Sequence, residues 1–184
     1  LERMRDIIAT DVAITYKLMR FLNSAYFYRL QQIKSVAHAV AYLGESELRR
    51  FVMLVIISEL ATDKPDELVR LVLVRAKFCE LLGNAAPLSQ SLGADLYMTG
   101  LFSLLDAMLD CPMAEILEKL PVNTLVKETL LGKNMAHSGF LRLAQAYERN
   151  QFGVCANLQK ALGLTDDQLQ ASYLKAIQYA NYLA

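Results

Sequence analysis

Helix-breaking residues are scarce in this chain, and they fall where helical patterns stop. The 184 residues include only eight glycines and four prolines. Between these breakers, apolar residues recur every three or four positions, which is the period of an α-helix. Residues 11–28 show the pattern, with Ile14, Leu18, Phe21 and Leu22 on one face. We find no two-residue alternation of the kind that marks a strand, so the sequence predicts an all-α fold.

Local signals place several helix ends. Ser35 is suited to cap a short helix that Gly44 ends, and a later helix begins near Pro65 and runs to Gly83. The segment from Thr165 to Gln168 matches a capping box. Residues 51–57, FVMLVII, are apolar on every face of a helix and are therefore predicted to lie in the middle of the fold. Residues 100–109, GLFSLLDAML, are predicted to form one helix.

Composition limits the classes of protein to which the chain can belong. No apolar segment approaches the roughly 20 residues that a bilayer requires, so no membrane span is expected. Nineteen basic and nineteen acidic residues cancel, which argues against nucleic acid as a partner. Three widely spaced cysteines favour a reducing compartment and a cytoplasmic protein. We expect a single domain over residues 1–184, cut from a longer protein because the chain begins with Leu1 rather than Met.

Residues that could support catalysis are few. His38 and His137 are the only histidines and neither precedes an aspartate, so a metal site built on histidines would lack ligands. Asp106 and Asp110 are predicted to share a helix face and could present two carboxylates to a cation, although such pairs more often face solvent. We therefore predict no catalytic residue, no metal site and no cofactor.

Basic residues form two small groups, Arg49 with Arg50 and a second set of Arg70, Arg75 and Lys77. Neither group is interleaved with aromatic residues, as a surface that binds single-stranded nucleic acid would be. Both groups are interpreted as solvated helix faces.

Residues 18–54, LMRFLNSAYFYRLQQIKSVAHAVAYLGESELRRFVML, resemble the opening signature of an HDOD domain. In that signature a leucine-rich helix ends in Asn-Ser, an Ile-x-Ser-x-x-x-Ala segment follows, and Leu-Gly precedes a charged helix start. The matching positions include Asn23, Ser24, Ser35 and Gly44, and His38 lies within the segment. Residues 73–82 and 97–109 resemble the HDOD domains that end proteins with an EAL cyclic di-GMP phosphodiesterase domain.

This resemblance implies a compact HD-like domain of about nine to eleven helices that has lost the metal ligands of HD phosphohydrolases. Catalytic relatives carry Gly-Leu-Leu-His-Asp. Aligning it with Gly100 onward puts Ser103 and Leu104 in the places of His and Asp, and Arg75 or a neighbouring residue falls near the first ligand. Asp106 lies two residues past that dyad. These four positions, Arg75, Ser103, Leu104 and Asp106, are predicted to mark a vestigial site.

The function that the resemblance implies is a non-catalytic bacterial signalling module. Its expected partner is an adjacent EAL-type domain or another signalling protein, with self-association into a homodimer as a further expectation. Two alternatives remain open. One is a sensor that binds a nucleotide in the vacated cleft through Arg75 and Ser103. The other is a divergent phosphohydrolase with a metal held by Asp106, Asp110 and a histidine.

Overall fold

The computed structural model describes residues 2–22, 35–60, 63–87, 92–120 and 122–183. These residues contain eleven helices and no strand, which confirms the all-α prediction and falls within the predicted number of helices. The helices are α1 (Glu2–Thr10), α2 (Val12–Leu22), α3 (Val36–Leu60), α4 (Asp66–Ala85), α5 (Gly93–Phe102), α6 (Leu105–Leu109), α7 (Met113–Lys119), α8 (Thr124–Leu130), α9 (Met135–Glu148), α10 (Phe152–Leu162) and α11 (Asp166–Leu183).

The chain divides into two compact units. Unit 1 comprises Leu1–Asp63 with Tyr182–Ala184, and unit 2 comprises Lys64–Asn181. The expectation of one domain over residues 1–184 stays a prediction.

Unit 1 contains α1 to α3, and side chains cap two of these helices as their types would suggest. Asp11 Oδ1 accepts hydrogen bonds from the backbone N–H groups of Ala13 and Ile14, at 2.8 and 3.0 Å. Ser35 Oγ accepts one from the N–H of His38 at 3.1 Å, which confirms the predicted cap. His38 itself is exposed. Asn23 and Ser24, the other polar residues of the family signature, lie outside the described residues.

Gly44 breaks α3 where the sequence predicted that a helix ends. Its φ of 68° and ψ of 179° lie outside the helical region, so the helix is kinked there and then continues to Leu60. A positive φ of this kind favours glycine because a Cβ would clash with the backbone.

The apolar run at residues 51–57 is less buried than predicted. Phe51 and Ile57 are almost fully covered, but residues 52–55 are only half-buried and Ile56 is 44% exposed. The prediction that this run lies covered on every side was therefore wrong. Its inner face joins the core of unit 1, whose buried members are Ile8, Leu18, Phe21, Leu22, Ala39, Val40, Leu43, Leu48 and Phe51.

Helix α4 is the buried element of unit 2, and residues 72–80 along it are all buried. It follows Pro65, as predicted, but it continues through Gly83 to Ala85. Gly83 was predicted to end the helix. Instead, a Cβ built there would lie 2.4 Å from Leu96 Cδ1, so this glycine allows α5 to pack closely on α4. At the other end of unit 2, Thr165 and Gln168 form the predicted capping box, with hydrogen bonds of 2.8 and 3.2 Å.

None of the described helices is both long enough and apolar enough to cross a membrane.

Candidate functional site

The segment GLFSLLDAML forms two helices rather than the single helix that was predicted. Helix α5 ends at Phe102 and α6 begins at Leu105, so Ser103 and Leu104 form a break between them. Both the backbone N–H and the hydroxyl of Ser103 donate to the carbonyl oxygen of Gly100, at 3.3 and 2.7 Å. This tight turn competes with the continuation of the helix, because a serine side chain can bond the backbone locally.

Close packing of α4 and α5 brings this break to Arg75. A Cβ built on Gly100 would lie 2.6 Å from Ala76 Cα and 2.7 Å from the carbonyl oxygen of Arg75. Only glycine therefore permits the two backbones to approach so closely. As a result, Arg75 Nη1 donates to Ser103 Oγ at 3.0 Å.

Glu148, the last residue of α9, provides the counter-charge. Arg75 Nε lies 3.0 and 3.1 Å from the two carboxylate oxygens of Glu148, and Arg75 Nη2 lies 2.6 Å from Oε2. The side chains are 4% and 9% exposed. Two-point contact of this kind is the strongest arrangement that a guanidinium and a carboxylate can make. One buried arginine thus links α4, the break between α5 and α6, and the end of α9.

The surroundings of this cluster are apolar and aromatic. Phe78, Tyr147 and Tyr173 form a ring cluster with centroid separations of 4.8 to 5.5 Å. Burial raises the pKa of the Cys79 thiol to about 12, and the negative charge of Glu148 adds to this shift. Burial, followed by the charges of Glu148 and Tyr147, also raises the pKa of Tyr173. Ionisation of a further acidic group near Glu148 is therefore disfavoured.

Of the four predicted vestigial positions, the structure brings together two. Arg75 and Ser103 are in contact, whereas Leu104 is half-buried with an apolar side chain and Asp106 is exposed. Asp106 Oδ1 accepts a hydrogen bond from the N–H of the next residue, Ala107, at 2.9 Å.

Asp106 and Asp110 do not share a helix face, contrary to the prediction. Helix α6 ends at Leu109, and Asp110 has a left-handed backbone with φ of 50°. Its carboxylate lies 2.7 Å from Lys64 Nζ. The pair therefore does not present two neighbouring carboxylates along one helix.

Neither histidine lies in a cluster of possible metal ligands in the part of the chain that the structure describes. His38 is exposed, and His137 Nδ1 lies 3.0 Å from Asn134 Oδ1, the residue that also caps α9. Within the described ranges, no three His, Cys, Asp or Glu side chains cluster closely enough to hold an ion.

The interpretation of Arg75 and Lys77 as part of a solvated face was wrong. Both are buried, and Lys77 Nζ bonds Glu80 Oε2 at 2.7 Å on the same helix. Both charges stand inside a largely apolar segment, residues 71–82. That setting was a signal of buried ion pairs, because an unpaired charge is rarely buried. Glu148 could not be found in this way, since it lies 73 positions from Arg75.

Comparison with known proteins shows which family the chain resembles. The family model for the HDOD domain matches residues 1–120. Over its whole length the chain is 29% identical to the uncharacterized protein YuxH of Bacillus subtilis, covering 44% of that protein. Over 147 residues, 80% of this chain, it is 34% identical to the cyclic di-GMP phosphodiesterase CdgJ of Vibrio cholerae, covering 34% of that protein. The chain thus spans less than half the length of either relative. No solved structure matches it significantly.

Proposed function

Because this chain belongs to the HDOD domain family, we propose that it is a non-catalytic regulatory module of a signalling protein. Its partner in this proposal is an EAL-type domain that hydrolyses cyclic di-GMP. Regulation would occur through contact between the two proteins or domains, in the cytoplasm, where the free thiols of Cys79, Cys111 and Cys155 would stay reduced.

The observation that supports a non-catalytic role is the buried pairing of Arg75 with Glu148 and Ser103. By the family resemblance, Arg75 lies near the first metal ligand of the catalytic relatives, and Ser103 and Leu104 replace their His-Asp dyad. A guanidinium repels a cation, a leucine side chain has no donor atom, and the Glu148 carboxylate is already engaged. This set of side chains is poorly suited to hold a metal that would activate water.

The support for a cyclic di-GMP partner comes from the Vibrio relative, which is named as a cyclic di-GMP phosphodiesterase. Our chain aligns with 34% of that protein. We propose that this aligned part regulates and that an EAL-type domain performs the hydrolysis.

A shift between two packings of the helices would carry the signal. Binding of the partner would favour one packing, and the reciprocal effect on the partner should be about 1–3 kcal/mol, or about 5- to 150-fold in an equilibrium constant. Self-association of the chain into a homodimer is part of this proposal, and sedimentation velocity measures it directly.

The test is a cyclic di-GMP hydrolysis assay with the purified chain, a purified EAL-type domain from the same organism, and their mixture. We expect no hydrolysis by the chain alone with Mg²⁺ or Mn²⁺, and at least a fivefold change in kcat/KM of the EAL domain in the mixture. The Arg75→Glu variant, which sets two carboxylates against each other, should lose this effect, whereas the exposed Glu118→Gln variant should keep it. Hydrolysis by the chain alone would refute the non-catalytic role.

The nucleotide-sensor alternative has weaker support. Arg75 and Ser103 are in contact, as that alternative requires, but Nε and Nη2 of Arg75 are bonded to Glu148. A phosphate would have to displace this carboxylate. Calorimetric titration of the chain with cyclic di-GMP to millimolar concentration tests the alternative, and the absence of binding would eliminate it for that ligand.

A further inference from the structure

We propose that the Arg75–Glu148 pair is a conformational latch that fixes the break between α5 and α6 to the end of α9. Opening the latch would loosen the break and the end of α9 while α4 remains folded. The proposal concerns the motion of unit 2 and does not depend on the signalling role proposed above.

Arg75, Glu148 and Ser103 lie in three different parts of unit 2. Arg75 lies in the middle of α4, Glu148 is the last residue of α9, and Ser103 is the first residue after α5. The guanidinium, which α4 carries, therefore contacts two other segments through four hydrogen bonds of 2.6 to 3.1 Å. Loss of the guanidinium releases both contacts together.

The guanidinium contacts two segments that lie at helix ends. At the break, Ser103 Oγ accepts from Arg75 while it donates to the carbonyl oxygen of Gly100. The hydroxyl is thereby oriented into the turn that stops α5. After α9, Asn150 has a left-handed backbone with φ of 54°, and the chain reverses into α10. One held segment lies between two helices and the other is the last turn of a helix, and local unfolding is easier at both than in the middle of a packed helix.

The attachment of α4 to α5 has a different origin from the contacts of the guanidinium. The close approach of the two helices rests on Gly100, where backbone atoms of Arg75 and Ala76 leave no space for a Cβ, while a Cβ at Gly83 would have to displace the Leu96 side chain. This packing does not use the ion pair. Opening of the latch should therefore free the turns and leave the α4–α5 contact in place.

A buried ion pair contributes little net stability, because the cost of removing two charges from water offsets their attraction. Its effect is on geometry, since only one relative placement of the helices satisfies both charges. Glu148 also lies beyond residues 1–120, the segment that the family model matches, whereas Arg75 and Ser103 lie within it. The latch therefore joins the family-matched segment to the helices that follow it.

Hydrogen exchange measured by mass spectrometry on the full chain tests the latch. In the Glu148→Gln variant we expect at least tenfold faster exchange in residues 100–106 and 144–151, and unchanged exchange in residues 72–82 of α4. The matched control, Glu118→Gln, removes an exposed carboxylate from α7 and should exchange like the unmodified chain.

Two further variants keep the test decisive if Glu148→Gln folds poorly. Ser103→Ala leaves the ion pair intact and should speed exchange only at residues 100–106. Arg75→Met with Glu148→Leu removes both charges and leaves no buried charge unpaired. This double variant should have the thermal midpoint of the unmodified chain, but residues 100–106 and 144–151 should exchange as fast as they do in Glu148→Gln. Uniformly faster exchange across unit 2 in these variants, or exchange at residues 100–106 as slow as in the unmodified chain, would overturn the proposal.

Discussion

The hydroxyl oxygens of Tyr97 and Tyr179 lie 2.8 Å apart in the buried part of unit 2, where they join α5 to α11. The two rings meet nearly at right angles, with centroids 6.3 Å apart, and neither side chain is more than 4% exposed. Lys77 Nζ lies 5.2 Å from the centroid of the Tyr179 ring. Through Tyr179, the last helix, α11, is therefore in contact with Tyr97 of α5 and with Lys77 of α4.

Replacement of Tyr179 by phenylalanine should lower the free energy of unfolding by about 1 kcal/mol, because it removes one buried hydrogen bond but preserves the ring. Urea denaturation followed by circular dichroism measures the change. Tyr16→Phe is the matched control, since Tyr16 is 66% exposed and its hydroxyl can be solvated. An equal loss in both variants would show that the Tyr97–Tyr179 contact contributes nothing specific.

Gly100→Ala should be among the most destabilising single changes in the chain. The added Cβ would lie 2.6 Å from Ala76 Cα, and a backbone atom cannot move aside as a flexible side chain can. Overpacking of this kind costs about 1–3 kcal/mol, and the upper end is expected here because the blocked contact is with backbone atoms. The thermal midpoint of the purified variant provides the measurement.

Gly153→Ala is the control for that change, because a Cβ at the second residue of α10 would meet nothing within 4 Å. It should be neutral or stabilise the chain by up to about 1 kcal/mol, as expected for alanine in place of glycine in a helix. If Gly100→Ala proved as well tolerated, the close contact between α4 and α5 would be wrong.

Features encoded by neighbouring residues could be predicted from the sequence. The Ser35 cap, the break at Gly44 and the Thr165–Gln168 capping box each depend on residues within a few positions of one another. The signals are local because a cap or a turn satisfies backbone groups of its own segment. The all-α fold follows from the same kind of periodicity.

Features that depend on distant residues could not be predicted. The break after α5 looked helical in sequence, and Ser103 within it accepts a hydrogen bond from Arg75, which lies 28 positions away. Glu148 gave no local sign that it would neutralise Arg75. The run at residues 51–57 showed strong apolar character, but sequence does not reveal how much of each face the neighbouring helices cover.

Cys79 should make stability fall with rising pH in the alkaline range. The thiol of an unfolded chain has a pKa near 8.5, whereas burial and Glu148 raise the pKa of the folded thiol to about 12. At a pH below the pKa of the unfolded thiol, the thiol is protonated in both the folded and the unfolded chain. Its full contribution to the free energy of unfolding is therefore present there. Between the two values only the unfolded chain loses the proton, and the free energy of unfolding should fall by about 1 kcal/mol per pH unit.

Denaturation of the unmodified chain and the Cys79→Ala variant between pH 8 and 11 isolates this effect, because other titrating groups are common to both. The alanine variant should have the shallower slope. Cys111→Ser is the control, since Cys111 is only half-buried and its replacement should leave most of the slope. Parallel curves for the unmodified chain and Cys79→Ala would mean that the Cys79 thiol is not shielded as the structure indicates.

The Asp106→Asn, Asp110→Asn double variant should have the same metal content as the unmodified chain, well below one ion per molecule. Asp106 bonds the neighbouring N–H and Asp110 pairs with Lys64, so the two carboxylates do not form a site with enough oxygen ligands for a divalent cation. Asparagine tolerates the left-handed backbone at position 110, so the variant should fold.

Elemental analysis of protein purified without chelator and without a histidine tag gives the measurement. Glu118→Gln with Glu128→Gln removes two other exposed carboxylates and serves as the charge-matched control. Stoichiometric Fe, Mn, Zn, Ni or Co that is lost only from the aspartate variant would place Asp106 and Asp110 in a working metal site. Such a result would revive the phosphohydrolase alternative, because a bound ion of this kind can lower the pKa of water enough to generate a nucleophile. Equal, low metal content in all three proteins would leave regulation through contact as the better-supported function.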